Sequence, residues 1–400
     1  MSWTQRKLSE VATLIRGITF SKAEGVDRPE VGRVPVIRAG SIQKTLLVND
    51  GQIWVPQEKV KPHQFIRKND ILMCTSSGSS DLVGKCAKSD ANYEISFGAF
   101  CAGIRPDLNM VSPSYLYHFL NSPKFKNWTR NSSGANIKNI RVSELAEHEI
   151  PLPPLDEQKR IAAILDKADA IRQKRKQAID LADEFLRSVF LDMFGDVSGV
   201  GESTVEKLAE DRKGSMRTGP FGSQLLHSEF TESGVSVLGI DNAVKNRFEW
   251  GKERFISQDK YSELSRYTVL PGDVLITIMG TCGRCAVVPE DIPVAINTKH
   301  LCCITLDKSK CLPEFLHSYF LYHPIARRYL EKNTKGAIMA GLNMGIVKAM
   351  PVPVFPLAMQ NKYVEIAKKI ESSRYNREEF ETLGNRSFDS ISQKAFSGQL

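Results

Sequence analysis

PLPPLDEQKRIAAIL, residues 151–165, changes the character of the chain within a few positions. Its prolines impose an extended entry and a clean helix start. Beyond Pro154, the residues Ile161, Ile164, Leu165, Ala168, Ile171, Ala178, Ile179, Ala182, Phe185, Leu186 and Val189 recur at heptad spacing, with almost no Gly or Pro between them. That period predicts one long, coiled-coil-like helix. About 35 residues at about 1.5 Å each make a rod of roughly 50 Å, the length of a spacer.

The same passage occurs twice. PVFPLAMQNKYV at 353–364 repeats it at an offset of 202, with Pro151, Pro154, Leu155 and Gln158 matched by Pro353, Pro356, Leu357 and Gln360. A second apolar-periodic run follows through Tyr363, Ile366, Ala367, Ile370, Phe380, Phe388 and Ile391. Upstream, VPVIRAGSI at 34–42 answers VSVLGIDNA at 235–243, and Gly84 to Ala87 answer Gly283 to Ala286. SPSYLYHFLNSP at 112–123 and LPEFLHSYFLYHP at 312–324 are helix candidates in matching places. The 400 residues therefore divide into two halves of about 200. Each holds a mixed unit, with strand-like runs such as DILMCTS at 70–76, DVLITIM at 273–279 and LCCITL at 301–306, followed by a rod. The fold class this predicts is α+β.

In the heptad frame Arg175 and its repeat mate Arg377 both sit at seam positions near their helix midpoints. If the helices pair antiparallel, the two arginines approach the crossing near Glu378 and Glu379; otherwise they snorkel out of the seam. Ile164, Ile171, Phe185, Ile370, Phe380 and Ile391 complete the expected helix-pair or partner interface. Residues 156–190 carry eight Lys or Arg against seven Asp or Glu, so the first rod has no basic stripe for phosphates.

Composition narrows the class. The apolar fraction is 42% and the charged fraction 25%, which suits a folded globular chain. No run of about 18 apolar residues occurs, and the opening MSWTQRKLSEVATLIRG has no signal-peptide pattern, so a cytoplasmic location is expected. A net charge of +8 hints at an acidic partner.

Catalytic signatures are missing. The nearest phosphate loop, Gly78 to Cys86, has one residue too many between its glycines and Cys in place of the hydroxyl that would hold a metal. HExxH, GxSxG and an Asn-Pro-Pro-Tyr motif do not occur. Cys282, Cys285, Cys302 and Cys303 could nominally bind zinc, but the first half has no counterpart to the full set, which favours buried strand cysteines and no metal.

Loops suited to nucleic acid lie in equivalent places, because Gly and Ser allow close backbone approach while Lys, Arg, Asn and Ser meet phosphates and base edges. In the first half the candidates are Arg38 and Lys44, then Ser76, Ser77 and Ser79 with Lys85, then Asn136, Lys138 and Asn139. In the second they are Arg217 and Ser223, then Thr281 and Arg284, then Lys299 and His300, and Lys335. The loops differ while the scaffold repeats, so two readers of two different short sequences are expected.

The repeat, the PLPPLDEQKRIAAIL leader, GPFGSQL at 219–225 and the closing QKAFSGQL at 393–400 resemble the specificity (S) subunits of type I restriction-modification systems. The resemblance covers essentially the whole chain. It implies target-recognition domains at 1–155 and 198–355, joined by antiparallel spacer helices at 156–193 and 357–396. It also implies a non-catalytic subunit that binds double-stranded DNA and docks methyltransferase subunits, two of them, and through these the restriction subunits. S-adenosylmethionine, ATP and Mg would then belong to the partners, with no cofactor on this chain. The second leader departs from the pattern: PVFPLAMQNKY lacks the acidic residue and the basic pair of PLPPLDEQKR. Two other readings remain, a stand-alone DNA-processing nuclease with an unrecognised site and a protein-only repeat scaffold.

Overall fold

The computed structural model describes residues 3–79, 82–131, 138–334 and 341–400, with the side chains of these apart from positions 131, 138, 334 and 373–387. The chain forms two compact units, one of residues 1–177 and 378–400, the other of residues 178–377. The long helices run Leu155–Phe194 and Leu357–Ser397. Each is divided between the units near its middle, so a unit is larger than the recognition domain expected from the sequence.

In the first unit an antiparallel sheet has the order Ala12–Arg16, Cys101–Pro106, Ile71–Cys74, Cys86–Lys88. A second sheet places Ile53–Pro56 beside Arg33–Ile37, which pairs in parallel with Ser96–Phe97. The second unit repeats the first sheet as Met216–Thr218, Leu301–Ile304, Val274–Thr277, Cys285–Val287. Its second sheet pairs Val235–Leu238 in parallel with Ala295–Asn297. The mixed content matches the α+β expectation.

The central strand explains the run ILMC. All four residues are buried, and they alternate between two cores: Ile71 and Met73 face the helices, while Leu72 and Cys74 face the second sheet. A strand covered on both faces reads as a continuous apolar run, because successive side chains point to opposite sides. Cys302 and Cys303 divide in the same way between two cores of the second unit. Neighbours on opposite faces of one strand cannot share a tetrahedral ion, so these two are core residues. Burial pushes the Cys302 thiol up to about 12. Among the described residues no group of three or more His, Cys, Asp or Glu converges.

Each unit is completed by the head of one long helix and the tail of the other. In the first, Ile161, Ala162 and Leu165 share a core with Ala395, and the Phe396 ring lies 5.3 Å from Tyr115 and 5.4 Å from Phe119. In the second, Tyr363, Val364 and Ala367 pack with Leu186, Phe190 and Phe194. The Phe190 and Tyr363 rings are 5.2 Å apart.

Two of the residues expected at a helix-pair or partner interface lie off the buried helix seam. Ile171 is 45% exposed and Phe185 55% exposed, while Ile179 and Leu186 are buried. The helix turns its 158-165-172-179-186 stripe inward, which leaves Ile171 and Phe185 one position off it. Arg172 lies on this stripe, 4.7 Å from the Phe388 ring centroid and ion-paired with Asp169. Ile164, Arg175, Ile370 and Ile391 are half-buried. The side chains of Arg377 and Phe380 lie outside the described residues.

Candidate nucleic-acid interface

At one end of the strands of the four-stranded sheet in each unit, three loops from distant parts of the sequence meet. In the first unit they follow the strand Ala12–Arg16, follow Ile71–Cys74, and precede Cys101–Pro106. The N–H of Ile18 donates to the Phe97 carbonyl at 2.9 Å, and that of Thr75 donates to the Phe100 carbonyl at 2.9 Å. In the second unit the Gly219 N–H donates to the Thr298 carbonyl at 3.3 Å and the Ile278 N–H to the His300 carbonyl at 2.9 Å.

Glycine permits this approach. A Cβ on Gly17 would lie 2.1 Å from the Gly98 carbonyl oxygen, and one on Gly219 would lie 1.9 Å from that of Asn297. Any side chain there would separate the loops.

The first unit joins two segments that are far apart in sequence. Ser76–Ser77 pairs antiparallel with Lys138–Asn139, placing Ser77 opposite Lys138 and Ser76 opposite Asn139. The Ile140 N–H closes the ribbon on the Thr75 carbonyl at 2.8 Å. A cleft of about 330 Å³ opens beside it, lined by Arg16, Thr19, Thr75, Asn139, Arg141 and Ser143 among others. Asn139, Ser79 and Arg38 are exposed, and Ser76 and Ser77 are half-buried. Lys85 is half-buried with its ammonium donating to the Gln43 side-chain oxygen. Lys44 is drawn away from a free role, because its Nζ pairs with Asp169 on the first long helix at 3.1 Å. Burial lowers its pKa against the pull of that carboxylate. The Lys138 side chain and the whole of Asn136 lie outside the described residues.

In the second unit Thr281, Arg284 and Ser223 are exposed, and Lys299 and His300 are half-buried in the turn before Leu301. Burial, assisted by Lys299 and Arg254, lowers the His300 pKa and favours the neutral ring. Lys335 lies outside the described residues.

Arg217 is a correction. Its side chain is 7% exposed and its guanidinium pairs with the fully buried Asp273 at 2.5 Å. It also donates to the Thr268 carbonyl at 2.6 and 2.9 Å and to Thr305 Oγ1 at 3.0 Å. With those donors spent inside the sheet it cannot reach a nucleic acid. The first unit has the same device from another strand: Arg105 pairs with the buried Asp70 at 2.7 Å. The carboxylate keeps its place in the repeat and the arginine changes strand, which sequence alone does not reveal.

Several exposed groups have no place among the expected residues. Arg16, Thr19 and Ser143 line the cleft, and Phe100 is 67% exposed on the turn before Cys101. Trp250 is 58% exposed, its ring held edge-on to Phe248 at 5.3 Å. In the sequence it is flanked by Lys245, Arg247, Lys252 and Arg254, an interleaving of cations and aromatics visible in KNRFEWGKER, although Lys245 and Arg247 pair with Glu249 and Arg254 with Asp241. FGAFC gives no comparable signal for Phe100, since it reads as strand.

Residues 1–181 match the family description Type I restriction modification DNA specificity domain. The chain is 30% identical over 430 aligned positions to the Type I restriction enzyme EcoKI specificity subunit of Escherichia coli (strain K12), covering all of this chain and 89% of the relative. It is 28% identical to the StySPI specificity subunit of Salmonella potsdam, with the same coverage. In three dimensions it is similar to the crystal structure of the type I restriction-modification system S subunit from M. genitalium, with a TM-score of 0.60, 17% identity and coverage of 99% and 96% of the two chains. A chain from a structure of type I R-M complex assembly gives a TM-score of 0.54 at 16% identity, covering 100% and 98%. None of these relatives supports the nuclease reading. A repeated scaffold whose loops diverge, without a catalytic motif, is what a subunit that only supplies specificity requires, and the chain belongs to the family of type I restriction enzyme specificity subunits.

Proposed function

We propose that each unit presents its loop cluster to duplex DNA, so that the chain reads a bipartite, asymmetric target. The supporting observation is that the same three loops gather at the same end of the strands of the equivalent sheet in both units while carrying different side chains. Affinity comes from Lys and Arg at phosphates, and discrimination from neutral and cationic groups at base edges. On this reading the candidates are Arg38, Lys85 and the Ser76 to Asn139 ribbon in the first unit, and Ser223, Thr281, Arg284, Lys299 and His300 in the second.

The long helices, paired antiparallel, set the separation of the two half-sites and dock two methyltransferase subunits, with the restriction subunits joined through these. S-adenosylmethionine, ATP and Mg are held by those partners, and the assembly works in the cytoplasm, where the DNA is. The absence of a basic stripe on the first helix agrees with a protein-facing surface.

The test is an exchange. Residues 198–355 are replaced by the equivalent segment of a relative, the hybrid is co-expressed with the methyltransferase subunits, and the methylated sequence is read from host DNA. One half of the site changes and the other stays. An unchanged site would defeat the assignment.

A further inference from the structure

In the first unit's loop cluster Ser76, Asn139 and Phe100 form a neutral, partly apolar patch beside the cleft that Arg16 and Arg141 line, and this has a consequence for the bases it prefers. Ser76 is flanked on both sides. Its register partner is Asn139, and its own N–H donates to the Phe100 carbonyl at 3.2 Å. The Phe100 carbonyl also accepts the Thr75 N–H at 2.9 Å, while the Gly98 N–H donates to the Ile37 carbonyl at 3.0 Å and the Cys101 N–H to the Gly98 carbonyl at 2.9 Å. The turn is thus fixed at four points, yet the Phe100 ring is 67% exposed.

Single exposed apolar residues are ordinary on protein surfaces. Phe100 differs in its position: it stands next to the hydrogen-bonding residues of the loop cluster, at the place where the second unit has His300. The carbonyls of both residues accept an N–H from the segment after the central strand. The same backbone socket therefore presents a hydrocarbon ring in one unit and an imidazole in the other.

In the major groove an A·T pair offers two features side by side: the N6 and N7 edge of adenine, which an Asn amide matches, and the 5-methyl of thymine, which apolar side chains cover. Asn139 and Phe100, separated by Ser76, supply that combination. We propose that Phe100 is a specificity-determining residue that seats against the 5-methyl group of a thymine in the half-site read by the first unit. This rests on the DNA-reading assignment above and narrows it to one residue and one methyl group.

The experiment uses the chain in complex with its methyltransferase subunits and a duplex bearing the site that the complex methylates, the half belonging to the first unit being known from the domain exchange. Each thymine of that half is replaced singly by deoxyuridine, which removes only the 5-methyl group, and Kd is measured for the native complex, Phe100→Ala and Phe100→Leu. Loss of one buried methyl corresponds to about a fourfold change in affinity. The native complex should lose about fourfold at one thymine. Phe100→Ala should bind the thymine and deoxyuridine duplexes alike while keeping its unfolding temperature, and Phe100→Leu should retain part of the preference. If no thymine in that half discriminates, or if Phe100→Ala weakens both duplexes equally and leaves the ratio intact, the proposal is overturned and the DNA-reading assignment stands. A complex with no salt-dependent, sequence-preferring binding to duplex would overturn both.

Discussion

Gln158 and Gln360, 202 residues apart, make the same three hydrogen bonds in their respective units. The Gln158 oxygen accepts the Ser112 N–H at 2.8 Å, and its amide donates to the carbonyls of Met110 at 3.1 Å and Pro153 at 2.8 Å. Gln360 accepts from the Leu312 N–H at 2.9 Å and donates to the carbonyls of Lys310 at 3.2 Å and Phe355 at 2.9 Å. Both side chains are buried. Each glutamine ties the first turn of a long helix to the segment leading into the helix candidate of its domain and to the proline-rich leader, so the angle at which the rod leaves the domain is set by hydrogen bonds as well as packing.

Gln158→Ala should leave one donor and two acceptors buried without partners. At about 1–3 kcal/mol per orphaned group, less what water recovers, the first unit should lose about 3 kcal/mol. Urea unfolding should show this loss, and Gln360→Ala should show a similar loss in the second unit. The exposed neighbour Asp156→Ala should stay within about 0.5 kcal/mol of the native chain.

Arg217→Ala should act on stability. Removing the guanidinium leaves Asp273 buried and unpaired, which costs about 3–5 kcal/mol. Thermal unfolding should fall sharply, and Arg217→Lys should not rescue it, since a single ammonium cannot replace the fork that bonds Asp273, Thr268 and Thr305 together. Arg105→Ala should do the same to the first unit through Asp70.

Arg284→Ala and Lys299→Ala should leave the unfolding temperature close to native and weaken duplex binding. For each residue that neutralises a phosphate, the slope of log affinity against log salt should shrink by about 1. Titrations at several salt concentrations measure this. A slope unchanged in both variants would remove these two residues from the interface.

His148 should make the first unit acid-sensitive. Its ring packs 4.4 Å from Trp128 and 5.0 Å from Phe125, and burial, with a contribution from Lys124, lowers its pKa to about 4. In the unfolded chain the imidazole titrates near 6.5. Between pH about 6.5 and 4 the unfolded state therefore binds a proton that the folded state does not. The neutral ring's stability is fully present above pH 6.5, declines as the pH falls, and stops declining below about 4. Urea midpoints measured from pH 7 to 4 should fall less steeply for His148→Phe than for the native chain.

Much of this protein was determined by local pattern. The heptad runs, the prolines before them and the offset of 202 specify two long helices and two equivalent mixed domains, because helix period and helix start depend on neighbours in the chain. Gln158 and Gln360 could be matched for the same reason. Other features depended on contacts between segments far apart in sequence. Which stripe of the first long helix faces inward depends on what covers it, so Ile171 and Phe185, placed at the interface by spacing alone, fall outside the buried 158-165-172-179-186 stripe. Arg217 has the residue type of a DNA contact and becomes an internal brace only because Asp273, 56 residues away, leads into the strand Val274–Thr277, which lies one strand beyond Leu301–Ile304 in the same sheet. Phe100 belongs to a strand-like stretch and is carried into the loop cluster by hydrogen bonds to Thr75 and Ser76. The sequence by itself determined the repeat, the rods and the lack of a catalytic motif. Only the tertiary structure decided which polar residues are consumed by the core and which stay exposed, because a side chain's partners are chosen by the pairing of distant strands.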